Sequence, residues 1–114
     1  MKNILFAALT TLVSVSVMAS TAKPLEGGIL FQENCSRCHG ENGKGGAVLP
    51  LVGGASKWTL KLFQRAVLTG IDNKGHPLKS PMPHWKDASF KADNGAAPSK
   101  AEIAAIYRYL RAVK

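Results

Sequence analysis

Two cysteines and a histidine occur together at Cys35, Cys38 and His39, in the pattern C-x-x-C-H. This spacing is typical of covalent c-type haem attachment. Each thiol can form a thioether bond with a haem vinyl group, and the imidazole that follows directly can then bind the iron. A chain that holds a tethered haem has to fold around a large apolar body. The motif therefore constrains the fold more than any other feature of the sequence.

Three other interpretations of the motif remain open. The cysteines could form a disulfide, or they could act as a thioredoxin-like redox pair, although no strand-helix-strand pattern surrounds them. They could also bind zinc together with two of the three histidines, although zinc sites usually space their two ligand pairs regularly. The histidines are His39, His76 and His84.

The first 19 residues have the three parts of a secretory signal peptide. Lys2 is the charged start, residues 4–17 are mostly apolar, and Val17-Met18-Ala19 is a cleavage site of the expected kind. The apolar part is short for a membrane span, which needs about 20 residues. We expect a signal peptide at 1–19 and an exported, periplasmic domain at 20–114. The protein would be anchored in the membrane only if the signal were retained.

Removal of the signal leaves 95 residues, which suffice for one small domain with a thin core. A haem enclosed by such a domain would supply much of that core. The full chain has a formal net charge of +8, and the loss of Lys2 reduces it to +7. This charge favours partners with acidic docking surfaces, although a solvated basic surface explains it equally well. No block of like charges indicates nucleic-acid binding.

Apolar spacing and helix-end signals predict helices, and no strands, along the mature chain. A first helix should begin near Pro24, because proline suits a first helical turn, and should run toward Cys35. The glycine-rich segment 39–54 should be a loop. A second helix is predicted at about 57–69, capped by Ser56 and ended at Gly70.

The last helix has the clearest start signal. Ser99 and Glu102 fit an S-x-x-E capping box, and apolar residues follow at one-face helical spacing. Segment 71–97 is rich in proline and glycine, so it should be mostly irregular, with one helical turn near residues 85–90.

A haem iron with six ligands needs a second axial ligand besides His39. The mature chain has one methionine, Met82, and the other candidates are His76 and His84. Met82 stands between two prolines that restrict the backbone, which favours a held ligand over ordinary core packing. The two histidines fit a surface position better. Three aromatic residues could wall the haem pocket or could belong to an ordinary core: Trp58, Phe63 and Trp85.

With these residues the mature chain resembles the class I c-type cytochromes, the small monohaem group that includes mitochondrial cytochrome c. The likeness covers nearly all of the mature part, and C-x-x-C-H alone would not select this class. It depends on the place of the motif near the start of the domain, the late methionine and the terminal amphipathic helix. The matching residues are Gly27 and Phe31 in the first helix, Cys35, Cys38 and His39, the pair Pro50-Leu51, Met82, and Ile106, Tyr109 and Leu110 in the last helix.

The resemblance implies an all-α fold, in which three main helices and irregular loops surround one covalently attached haem c. It implies that His39 and Met82 bind the iron, and that the carbonyl of Pro50 accepts a hydrogen bond from the free N–H of His39. It also implies that the first and last helices pack together.

The implied function is electron transfer rather than enzyme catalysis. We expect a soluble, monomeric carrier of single electrons between exported respiratory redox partners. The alternative is a cytochrome subunit of a larger dehydrogenase or oxidase complex. A gas-binding or peroxidatic haem protein is a different class, which would need an open iron position, and Met82 argues against it.

Overall fold

The computed structural model describes residues 8–14, 26–79 and 82–114. Within these ranges the chain forms four α helices and three short 3-10 turns, and one isolated bridge between Ile71 and Pro77 is its only strand-like pairing. The helices are α1 (Gly27–Asn34), α2 (Ser36–His39), α3 (Leu60–Thr69) and α4 (Lys100–Ala112). The 3-10 turns are Ala55–Lys57, Trp85–Asp87 and Lys91–Asp93. The prediction of an all-α fold is confirmed.

Most of the expected signal peptide lies outside the described residues, and so does Pro24, the expected start of the first helix. Residues 8–14 are exposed and have no regular secondary structure. No helix in the described part of the chain combines the length and the apolar character that a membrane crossing requires.

The attachment motif spans a break between two helices. The N–H of Cys35 donates to the carbonyl of Phe31 at 2.8 Å and closes α1, after which α2 carries Cys38 and His39. α2 ends at Gly40, whose φ of 83° favours glycine. The imidazole therefore stands at the end of a helix, where the chain turns sharply into the glycine-rich loop.

The second predicted helix starts later than the sequence indicates. Ser56 does not cap it; instead its side chain is buried and accepts a hydrogen bond from the N–H of Gly53 at 3.1 Å. Trp58 has extended backbone angles, which separate the 3-10 turn from α3. Thr59 is the cap, because its hydroxyl accepts from the N–H of Leu62 at 3.3 Å. The predicted end at Gly70 is correct.

The start of α4 follows the predicted capping box. The hydroxyl of Ser99 accepts from the N–H of Glu102 at 3.1 Å, and the Ser99 N–H donates to the Glu102 carboxylate at 2.9 Å. The inner face of the helix buries Ile103, Ile106 and Leu110. These side chains join Phe31 and Phe90 in the core.

α1 and α4 cross at close range, as the sequence predicts. A Cβ atom on Gly27 would overlap the backbone carbonyl of Ala105 in α4. Next to this crossing the rings of Phe31 and Tyr109 lie 5.7 Å apart between centroids. The absence of a side chain at Gly27 therefore lets the two helix backbones approach each other.

Gly27→Ala should destabilise the protein although alanine favours a helix more than glycine does. The new methyl group meets backbone atoms that cannot move aside, and we expect a loss of about 1–3 kcal/mol in the free energy of unfolding. Gly28→Ala is the matched control, because its Cβ would lie 3.2 Å from the side chain of Tyr109, which can shift. Denaturant unfolding of the two variants measures the difference. Equal stability would contradict the close crossing.

The irregular part of the domain is fastened to the helices by specific contacts. The side chain of Asn34 accepts a hydrogen bond from the N–H of Lys91 at 2.9 Å. The hydroxyl of Tyr107 donates to the carbonyl of Trp58 at 2.6 Å. Trp85 packs edge-on against Phe90, with ring centroids 4.8 Å apart. These contacts fix segments that lack repeating backbone hydrogen bonds, and they position the walls of the site.

Candidate functional site

One apolar cavity lies between the helices and the irregular segments. Its apolar lining comes from α1, α3, α4 and the loops on either side of α3. Three aromatic side chains form part of this wall: Trp58, Phe63 and Trp85. Further lining residues are Leu51, Ala66, Val67, Leu78 and Ile106. Such a lining suits a large apolar ligand far better than a polar one.

Three of the five predicted site residues line this cavity: Cys35, His39 and Met82. Met82 follows the other two by more than 40 positions, so only the fold brings it close to them. Cys38 is exposed and does not line the cavity. Pro50 is exposed as well.

The His39 imidazole is held with one nitrogen enclosed. Its Nδ1 is buried and makes no hydrogen bond of normal geometry among the described residues. Burial lowers the pKa of His39, because the charged imidazolium loses its hydration, and the backbone of Leu49 opposes this shift. Burial thus favours the neutral imidazole, which is the form that binds metals.

The backbone group that acts on His39 belongs to Leu49, one residue before the expected Pro50. The loop that follows α2 brings it there. The N–H of Gly45 donates to the carbonyl of His39 at 3.0 Å, and the N–H of Val48 donates to the carbonyl of Cys38 at 3.3 Å. The role of the Pro50 carbonyl stays a prediction.

The two cysteines are free thiols in unlike surroundings. Burial raises the pKa of Cys35 to about 12, and the neighbouring Cys38 adds to the shift. One thiol therefore faces the cavity, while the other is on the outside. Among the described residues, no three His, Cys, Asp or Glu side chains cluster as a zinc site would require.

Met82 supplies a thioether to the cavity, whereas the two other candidate ligands lie elsewhere. Met82 is half-buried. His76 is exposed, with Nδ1 3.9 Å from the carboxylate of Asp72. His84 is largely exposed, and its ring lies against Gly70 at the end of α3. Neither histidine lines the cavity.

The sequence indicated the aromatic walls but missed the smaller lining residues. Ala66 follows Phe63 at helical spacing on the buried face of α3, and that spacing could have revealed it. Leu78 lies in an irregular segment without periodicity, so no sequence signal marks it.

The donor set and the cavity fit a covalently attached haem. Two thiols at the required spacing could tether it, and a neutral imidazole and a thioether could bind iron from within the same cavity. The apolar walls would enclose the macrocycle and exclude water. A closed zinc site would not account for this apolar cavity.

Comparison with known proteins agrees with this reading of the site. The family model described as Cytochrome c matches residues 25–114, which is most of the chain. The comparison with curated proteins finds no match.

Proposed function

The chain belongs to the cytochrome c family, and we propose that it is a soluble carrier of single electrons whose haem iron is bound by His39 and Met82. Membership of the family implies covalently attached haem c and electron transfer. One observation supports the ligand assignment above all others. Cys35, His39 and Met82 line the same apolar cavity.

Each of these residues has a separate part in the proposed mechanism. Cys35 and Cys38 would tether the haem, and the His39 nitrogen and the Met82 sulfur would bind its iron. When bound, haem supplies the one-electron change between ferrous and ferric iron. A methionine ligand raises the reduction potential relative to a second histidine. The apolar walls, which include Trp58 and Trp85, would limit the water near the haem, so little solvent would have to reorganise during electron transfer.

Carbon monoxide separates this function from gas binding or peroxidatic chemistry, because it binds ferrous haem only where an axial position is free. We expect the absorbance spectrum of the reduced protein to be unchanged by carbon monoxide. Met82→Ala is the control, and its spectrum should shift. A shift in the unaltered protein would indicate an open iron and would contradict the proposed ligation.

We also propose that the partners are redox proteins with acidic docking surfaces. Val48 and Leu49 are 39% and 85% exposed, and the N–H of Val48 is bonded to the carbonyl of Cys38. Arg37, Lys44 and the acidic Glu41 are exposed in the same stretch of chain. An exposed apolar pair therefore adjoins the attachment motif in a chain that is basic overall. It suits an apolar contact surrounded by acidic side chains.

Oxidation by ferricyanide, a negatively charged probe, tests this charge arrangement. The rate should fall as ionic strength rises, because salt screens the attraction. Lys44→Glu should slow the reaction several-fold at low salt. Lys114→Glu changes the charge equally at the end of the chain and should have a smaller effect. Equal rates for both variants would argue against docking beside the attachment motif.

We propose export to the periplasm with removal of residues 1–19 and action there as a monomer. The alternative is a subunit of a larger dehydrogenase or oxidase complex. Gel filtration of a periplasmic extract distinguishes the two, because a free carrier elutes as a single small domain. Elution of all the haem-stained chain at a much larger size would favour the complex.

A further inference from the structure

Gly70 closes α3 in a conformation that favours glycine. Its φ and ψ are 70° and 30°, and its N–H donates to the carbonyl of Ala66 at 2.9 Å. Unlike a helix end in solvent, Gly70 is buried. Two later parts of the chain cover it.

The first part returns to Gly70 just before Met82. The N–H of Asp72 donates to the carbonyl of His76 at 2.8 Å, and a bridge joins Ile71 to Pro77. The N–H of Leu78 then donates to the carbonyl of Gly70 at 2.7 Å. The chain is therefore fixed to the end of α3 four residues before Met82.

The second part meets Gly70 just after Met82. A Cβ atom on Gly70 would overlap Nε2 of His84 and would lie 2.6 Å from Cδ2, so the ring occupies the space that a side chain would need. The carbonyl of His84 accepts from the N–H of Asp87 at 2.9 Å. This bond belongs to the 3-10 turn Trp85–Asp87, which packs against α3.

We propose that Gly70 and the His84 ring are positioning residues for Met82. The chain on either side of the methionine is held at one buried residue, so the place of the sulfur depends on the end of α3. Because Gly70 has no side chain, the ring of His84 can pack directly against its backbone. This inference rests on the proposed binding of iron by Met82, and it assigns His84 a role other than that of a ligand.

Gly70→Ala tests whether the packing of the His84 ring against Gly70 holds Met82 in place. The methyl group should displace the His84 ring and loosen Met82. We expect a weaker long-wavelength absorbance band of the methionine-bound ferric haem and a lower reduction potential. Imidazole should bind the ferric haem about tenfold more tightly if the methionine-free form becomes tenfold more populated. Gly95→Ala is the matched control, since Gly95 has a φ of 93° but no atom within 4 Å of a Cβ there, and it lies outside the segment that returns to Gly70. It should leave all three readouts unchanged.

Two variants of His84 test the ring without altering the backbone at Gly70. His84→Ala removes the contact with Gly70 and should increase the affinity for imidazole. His84→Phe keeps a ring beside Gly70 and should restore the original affinity. The double variant Gly70→Ala with His84→Ala should be no worse than Gly70→Ala alone, because the clash is gone. These variants also decide the matter if Gly70→Ala does not fold.

The outcomes separate this inference from the proposed ligation. If the unaltered protein shows the long-wavelength band and His84→Ala keeps its band, potential and imidazole affinity, the positioning role is overturned while methionine ligation stands. If the unaltered protein lacks the band, methionine ligation itself fails and the inference fails with it. Loss of the band in His84→Ala with recovery in His84→Phe supports the positioning role.

Discussion

Replacement of both Cys35 and Cys38 by alanine is expected to leave no haem on the denatured chain. Each thiol can form one thioether bond, so the double variant has no covalent link. Haem that remains bound through the iron ligands should separate from the protein on a denaturing gel. Haem staining of the gel measures the attachment directly.

Ser36→Ala is a suitable control for the double variant. Ser36 lies between the cysteines and donates a hydrogen bond to the carbonyl of Gln32 at 2.7 Å, so its loss changes the motif without removing a thiol. The control should keep its haem through denaturation. Haem that still migrates with the Cys35→Ala, Cys38→Ala chain would refute attachment through these thiols.

Met82→Ala is expected to abolish the long-wavelength absorbance band and to lower the reduction potential. Residues 20–114 contain no other methionine, so the variant loses the proposed ligand that would raise the potential. Water or His84 could take the vacated position. The His84 ring packs against Gly70, which favours water over His84 as the replacement ligand. A bound water would open the iron to carbon monoxide. Covalent attachment should survive, because the C-x-x-C-H motif is intact.

Leu78→Ala provides the control for Met82→Ala. Leu78 also lines the cavity, so its truncation removes apolar wall without removing sulfur. This variant should lose stability, by less than the about 2–5 kcal/mol typical of a fully buried leucine because Leu78 is half-buried, but should keep the band. If Met82→Ala kept the spectrum and potential of the unaltered protein, Met82 could not be the ligand. His76 and His84 would then have to be reconsidered.

Local signals in the sequence predicted the parts of the fold that depend on neighbouring residues. The capping box of Ser99 and Glu102 needs only three positions of chain, and Gly70 ends α3 through its own backbone angles. The close crossing at Gly27 is a longer-range contact, and the family resemblance indicated it correctly.

Features that depend on tertiary contacts were harder to predict. Ser56 has the right chemistry for a helix cap, but it is used within a buried turn, and the extended backbone at Trp58 delays α3. The return of Leu78 to the carbonyl of Gly70 has no counterpart in residue periodicity. Such contacts pair residues whose spacing along the chain carries no repeating pattern.

The site likewise combines features that follow from sequence motifs with features that depend on tertiary contacts. The motif and the late methionine predicted Cys35, His39 and Met82 as site residues, and all three line one cavity. The partial burial of Cys35 and the exposure of Cys38 depend on how α2 meets the core, which no pattern of residues reveals. The proximity of Leu49 to His39 likewise depends on the path of the glycine-rich loop.

A redox titration of the haem-loaded protein, followed by its absorbance spectrum, tests the proposed electron-carrier function most directly. We expect one reversible transition that involves a single electron. The ferric form should show the long-wavelength band of methionine-bound haem, and this band should disappear on reduction. A ferric spectrum without the band, or an iron that binds carbon monoxide as soon as it is reduced, would contradict a closed site ligated by His39 and Met82.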